Sequence, residues 1–407
     1  MKMNKTKNIL FITSSTLATN PRLVKNYIYF SSKGHTCRII AFKYGNWTDD
    51  LSQEIIEKHN IECILIPASR ERMIPWIKAV LMDKVSKMMR LIIPSNYWTS
   101  VASSKRVFQL LAVIKKLEFP VDYIEGHTLA ALYPSAYLSK KLNVPFSFDV
   151  EDYHPGEIII DAGIQEKNRR IQILKNHLPA ASFVTAASPL IALEVESLLE
   201  WKTGRVISIN NSFFSDEFID SPNVSPSKLV KYVWFSQKIT FGRGLELFIE
   251  AVSSSNRHIE LTLIGSLDHD FYNQWIKPNQ YFIKILVPIS QEVLHKSLFK
   301  YDVGLIIELS SEDVNKDICL ANKLFAYLQS GLFLFATNTR GHVEFLRDYP
   351  DAGLINDQNK NDFMLGIESI SQSIDEIRNN KNRRFKNSAM LSYEEEVKKI
   401  ELAMSKI

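Results

Sequence analysis

Two stretches of this 407-residue chain gather side chains that can hold charge or move protons. In the first, Asp149, Glu151, Asp152, His154 and Glu157 fall within nine residues, at the end of the apolar run Pro145 to Val150. Charges at the end of a buried strand must be solvated, paired or used in chemistry. Two readings stay open: a cluster that handles a reacting hydroxyl, and a structural turn. No known metal-ligand spacing appears, so no metal is expected. A companion cluster, Glu125-Gly126-His127, closes the apolar run that begins at Val121. The second stretch is WFSQKITFGRG, where Lys238 and Arg243 stand between an apolar strand pattern and a helix opened by Gly242 to Gly244. Cations at a strand end before a glycine-opened helix suit a phosphate; plain surface cations are the alternative. Arg22 follows Asn20-Pro21, a helix start whose free backbone N–H groups could receive an anion. A surface salt bridge is the other reading of Arg22.

Strands and helices must carry these groups. NILFITS (Asn8 to Ser14) has a buried-strand pattern, followed by a helix that ends near Gly34 and a strand from Cys37 to Phe42. Residues 61–67 add a third strand. Val121 to Glu125 and Pro145 to Val150 flank a helix from Thr128 to Lys141, and Ala181 to Ala187 is another strand. In the second half, Tyr232 to Ser236, Glu260 to Ile264, Phe282 to Val287, Val303 to Ile307 and Leu332 to Ala336 read as strands with helices between them. Residues 215–228, rich in Ser, Pro and Asp, read as a linker. The alternation predicts an α/β protein of two doubly wound parallel-sheet domains, residues 1–209 and 210–390, with a last helix over 391–407. Ligands of such sheets bind at the carboxyl ends of the strands.

Composition narrows the function classes. The chain is 45% hydrophobic and 23% charged with a net charge of +4, an ordinary soluble profile and not that of a nucleic-acid binder. Cys37, Cys63 and Cys319 are scattered, which disfavours a disulfide framework or a zinc site and suits a reducing cytoplasm. The apolar run Ile9 to Ile12 is too short for a signal core, and no window is apolar enough to span a membrane. No GxGxxG follows the first strand, which argues against a dinucleotide oxidoreductase.

ANKLFAYLQSGLFLFATNTRGHVEF (residues 321–345) resembles the donor-site segment of nucleotide-sugar-dependent glycosyltransferases of the GT-B fold, retaining family-4 type. Asn322, Lys323, Leu324, Tyr327, Gly331, Ala336, Thr337, Gly341 and Glu344 match the family pattern. Lys238 and Arg243 match its two basic positions with Arg and Lys exchanged, and Asp149 to Glu157 is similar to its acceptor-side segment, with Glu151 at the family histidine. The resemblance implies two Rossmann-like domains facing a cleft, and transfer of a sugar from a nucleoside diphosphate sugar to a glycan or lipid-linked hydroxyl, with retention and without a metal or other cofactor. It places Lys238, Arg243 and Asp152 at the reacting centre. Asn322, Lys323, Asp317, Gly341 and Glu344 would surround the donor, with Arg22, His127, Glu151 and His154 on the acceptor side. Two departures stand out. Phe333 replaces a proline, and Ala326 replaces a carboxylate that commonly holds the ribose, leaving Asp317 or Glu308 to take over. Loss of that contact would weaken donor binding by roughly 1.5–3 kcal/mol. The alternative is a weakly active or inactive GT-B protein that binds a glycan or a partner subunit.

Residues 70–106 differ in kind, with eight Lys/Arg against two Asp/Glu among large aliphatic residues. Ile77, Leu81, Val85, Met88 and Ile92 recur at helical spacing. Such a helix can lie on an anionic membrane, each cation adding ~1 kcal/mol, which would make the protein peripheral on the inner membrane face. It can equally pack that apolar face on the N-terminal sheet and leave a solvated basic edge.

Overall fold

The computed structural model describes residues 6–69, 73–93, 95–158, 163–218, 229–255, 257–309 and 313–407, without the side chains of Ile74 and Pro75. Most of the expected linker, 219–228, lies outside these residues, as do positions 70–72 and 94 of the basic segment and 310–312 of the loop after Ile307. The chain divides into two compact units, Met1–Ile209 with Val397–Ile407, and Asn210–Glu396.

Unit 1 is built on seven parallel strands: β1 (Asn8–Thr13), β2 (Thr36–Lys43), β3 (Cys63–Pro67), β4 (Tyr123–His127), β5 (Phe146–Val150), β6 (Phe183–Ala186) and β7 (Val206–Ser208). Their order is β3-β2-β1-β4-β5-β6-β7, so the winding reverses between β1 and β4. Buried residues fill β1, β4 and β5 almost without alternation, as a sheet covered on both faces requires. Asn20 caps the Pro21–Ser32 helix, its side chain accepting from Leu23 N–H. The helix Tyr393–Met404 ends in unit 1, where Tyr29 donates to Glu401 and Lys399 to the Ser208 carbonyl.

Unit 2 has six parallel strands: β8 (Val230–Ile239), β9 (Ile259–Leu267), β10 (Ile283–Leu286), β11 (Val303–Ile306), β12 (Phe333–Thr337) and β13 (Gly353–Asn356). The order β10-β9-β8-β11-β12-β13 reverses between β8 and β11. Alternate residues of β8 feed two cores: Tyr232 and Trp234 pack with Leu245 and Phe248, while Val233 packs with Leu324 and Tyr327 on the other face. Two parallel-sheet α/β domains are therefore present.

Several boundaries differ from the sequence reading in ways that matter to the chemistry. β4 runs to His127, so Glu125 and His127 sit inside a fully buried strand. β8 continues past a bulge, and Lys238 pairs in register with Ser266 of β9 instead of lying in a loop. The basic segment forms three helices, Met73–Ile92, Asn96–Ser103 and Lys105–Ile114.

Candidate active site

At the carboxyl ends of β4 and β5, unit 1 holds a buried ionic network. Arg22 grips Asp149 with two parallel bonds, Nε to Oδ2 at 2.7 Å and Nη2 to Oδ1 at 2.9 Å, and gives Nη1 to the Ile209 carbonyl at 2.8 Å. Thr185 donates to Asp149 Oδ1 at 2.6 Å. His127 lies between Glu125 (Nε2 to Oε1, 2.9 Å) and Glu151 (Nδ1 to Oε1, 2.8 Å), with Asp149 Oδ2 3.6 Å from Nδ1. Asn26, one helical turn after Arg22, donates to Glu125. Burial alone would depress the His127 pKa, but the bonds and charges of Glu125 and Glu151 outweigh it and raise it to about 10. Burial likewise works against Asp149, yet the Arg22 guanidinium beside it brings it down to about 2. An imidazolium between carboxylates and a bidentate Arg–Asp pair thus share one buried cluster.

Arg22 makes the salt bridge its sequence position allowed, but inside the protein and not at the surface. It is buried, and Asp149 and Ile209 hold its guanidinium. Among the described residues, His127, Asp149 and Glu151 offer metal-ligand atoms within 4.8 Å of one another. A cation there would have to displace the His127 proton and compete with Arg22 for Asp149, so the donor set suits an ion-pair network better than a metal.

His154 belongs to a second group. Its Nδ1 meets Glu157 at 2.9 Å, and Arg170 donates to Glu157 at 2.6 Å and to the His154 carbonyl at 2.7 Å. Despite burial, the Glu157 hydrogen bond raises the His154 pKa. Asp152 lies between the two groups, its carbonyl accepting from His154 N–H at 2.9 Å. Thr128, directly after His127, has φ +67° and ψ 142°, a strained backbone for a β-branched residue. Its hydroxyl binds Ser14 N–H at 3.0 Å, tying β4 to β1 at the point where the winding reverses.

The corresponding end of unit 2 is arranged differently. Gly244 opens the Leu245–Ser253 helix with φ +76°, and a Cβ there would stand 2.1 Å from Ile307 Cγ2. Only glycine satisfies both the left-handed backbone and that approach. The helix start is thereby held against the end of β11, where Glu308 exchanges hydrogen bonds with Thr337 (3.0 and 2.9 Å). Lys323 reaches the same place: its Nζ is 3.4 Å from Glu308 Oε1 and 4.9 Å from the centre of the Trp234 ring. His342 donates from Nδ1 to the Thr337 carbonyl at 3.0 Å, while its buried Nε2 has no partner among the described residues. Burial lowers the His342 pKa, so Nε2 is a bare acceptor.

Other expected donor residues are placed as follows. Asp317 caps and pairs with Arg340 (3.0 and 2.5 Å) at the start of the Arg340–Asp348 helix. Gly341 lets that helix approach the Ile318 and Cys319 carbonyls, since a Cβ would meet them at 3.1 and 2.8 Å. Asn322 accepts from Asn211. Glu344 lies 3.8 Å from Arg347, with a buried Oε2 lacking a partner among the described residues. Lys238 is 56% exposed and bonds Asp268 at 2.8 Å, whereas Arg243 is exposed and makes no ion pair among the described residues. Ala326 is fully buried in the core with Leu324 and Phe325. Glu308 pairs with Lys323 and Asp317 pairs with Arg340.

Reasoning from sequence missed Trp234 beneath Lys323, Asn26 beside Glu125, and Arg170. For Asn26 the signal was present, because it lies four residues after Arg22 on the same helical face.

Two parallel-sheet α/β domains of this kind match the GT-B fold seen in solved structures. The chain matches a glycosyltransferase from Rickettsia africae ESF-5 with a TM-score of 0.66 at 15% identity, covering 98% of each chain. Anabaena HepE in complex with UDP and glucose gives 0.65 at 12% identity, covering 98% of this chain and 100% of the other. S. aureus TarM, in complex with fondaparinux, α-GlcNAc-glycerol and UDP, gives 0.64 at 11% identity, covering 98% and 99%. At these identities the likeness establishes the fold. No family model matches the chain, and no curated protein matches it.

Proposed function

We propose that the protein is a nucleotide-sugar-dependent glycosyltransferase that moves a hexosyl group to a hydroxyl of a glycan or lipid-linked acceptor, in surface polysaccharide synthesis at the inner membrane face. The observation that carries this reading is the Gly244-opened helix held against Ile307 beside Lys323, with Arg243 uncommitted at the loop tip. The diphosphate is received by the first backbone N–H groups of the Leu245–Ser253 helix and by Lys238, Arg243 and Lys323. These cations take the place a metal would have. Asn322, Glu344 and the bare His342 Nε2 supply polar contacts for the sugar, and Asp317 positions the Arg340–Asp348 helix. In unit 1, Glu151 and Asp152 orient the acceptor hydroxyl, His127 fixes Glu151, and Arg22 and His154 position the cluster.

Support for UDP as the nucleotide comes from HepE and TarM, both of which hold UDP. A thermal-shift screen of UDP-, GDP-, ADP- and CMP-sugars tests the donor site. One of them raises Tm, and the product keeps the donor's anomeric configuration by NMR. EDTA leaves the rate unchanged. The absence of a carboxylate at Ala326 favours a second reading, a binding protein on the same fold. No shift with any donor, together with Tm stabilisation by a glycan, would select that reading.

A further inference from the structure

The Met73–Ile92 helix is turned opposite to the usual surface helix. Its small residues Ala79 and Ser86 face the protein and are buried, at 1% and 0% exposure. Its large aliphatic residues Ile77, Leu81, Met88 and Ile92 are 49, 58, 57 and 67% exposed. At 100° per residue these four fall on one stripe opposite Ala79 and Ser86. Of the two readings the sequence allowed, the one with this apolar face on the sheet is therefore wrong. Lys84 and Lys78 border the stripe on its two sides, exposed and without an ion pair among the described residues. The acid Asp83 is turned away from the stripe and paired to Lys87 at 2.8 Å.

We infer that this face is a membrane-docking surface that lies in the interface of an anionic lipid bilayer, with Ile77, Leu81, Met88 and Ile92 in the acyl region and Lys78 and Lys84 at the headgroups. From Ile77 to Ile92 the stripe runs about 22 Å, parallel to a plane and not shaped as a socket. Flexible aliphatic chains edged by lysines suit lipid, since the stems can bury while the ammonium groups stay at the phosphates. A second copy fits poorly, because a two-fold contact would bring lysine flanks together with no acid on the stripe. Docking of this kind brings the protein to a lipid-linked acceptor, and for that use alone it rests on the transferase reading. The binding itself needs no sugar transfer.

Co-sedimentation of the full chain with vesicles tests this. Phosphatidylcholine vesicles containing phosphatidylglycerol should carry the protein down at low salt, and pure phosphatidylcholine vesicles should do so far less. Ile77→Glu with Met88→Glu should lower partitioning at least about tenfold. Lys78→Ala and Lys84→Ala should each cost about fivefold on anionic vesicles only. All four positions are exposed, and Tm with and without nucleotide checks that each variant remains folded. Wild-type partitioning by the Ile77→Glu/Met88→Glu variant, or no partitioning by the wild type, would overturn the assignment. A concentration-dependent dimer that Met88→Glu disperses, without vesicle binding, would give the face to a second copy instead. Vesicle binding with no nucleotide response would leave the docking surface standing and remove the transferase reading.

Discussion

The two sheets end in different kinds of chemistry. In unit 1 the groups at the strand ends largely satisfy one another: Arg22 holds Asp149, and His127 is clasped by Glu125 and Glu151, although Glu125 Oε2 is buried without a partner among the described residues. In unit 2 they are left partly uncommitted, with Arg243 exposed and His342 Nε2 and Glu344 Oε2 lacking partners among the described residues. A network whose charges are mostly paired inside the protein has little left to offer a ligand. An unsatisfied one carries a desolvation cost of roughly 1–3 kcal/mol per buried group until a ligand arrives. Mutations in the first should therefore change stability, and mutations in the second should change binding.

The largest effect should come from halving the buried pair. Arg22→Ala leaves Asp149 as an uncompensated buried charge and should destabilise unit 1 by about 3–5 kcal/mol in urea denaturation. The double variant Arg22→Met/Asp149→Leu should lose less. Next is pH. With its pKa raised from 6.5 to about 10, His127 contributes stability that is complete below pH 6.5 and lost as pH rises towards 10. His127→Gln should flatten Tm against pH across that window. Ala326→Glu would introduce a carboxylate at a fully buried core position and should cost more than about 2 kcal/mol without improving nucleotide binding. Smallest of all, Arg243→Ala on the exposed loop should change apo stability by less than about 0.5 kcal/mol.

The same contrast explains what could be read from the chain. Long apolar runs such as Asn8–Thr13 and Val303–Ile306, and the glycine opening the helix at Leu245, announce themselves locally. β13 did not, because Gly353–Asn356 is four residues with one fully buried. The partner of Arg22 lies 127 residues away, and no local pattern encodes it. The extent of β8 was hidden by a bulge between Phe235 and Lys238, which moves Lys238 from a loop onto a strand beside Asp268. The outward turn of the Met73–Ile92 stripe depends on which face the sheet accepts, and Ala79 and Ser86 gave the only local hint.

The central claim is that basic side chains beside the Gly244-opened helix receive a nucleoside diphosphate. Its most direct test is Tm with and without UDP, GDP or ADP for the wild type, Lys238→Ala and Arg243→Ala. The account predicts that one nucleotide stabilises the wild type and that both variants keep the wild-type apo Tm while losing the stabilisation. An undiminished nucleotide shift in both variants would contradict it.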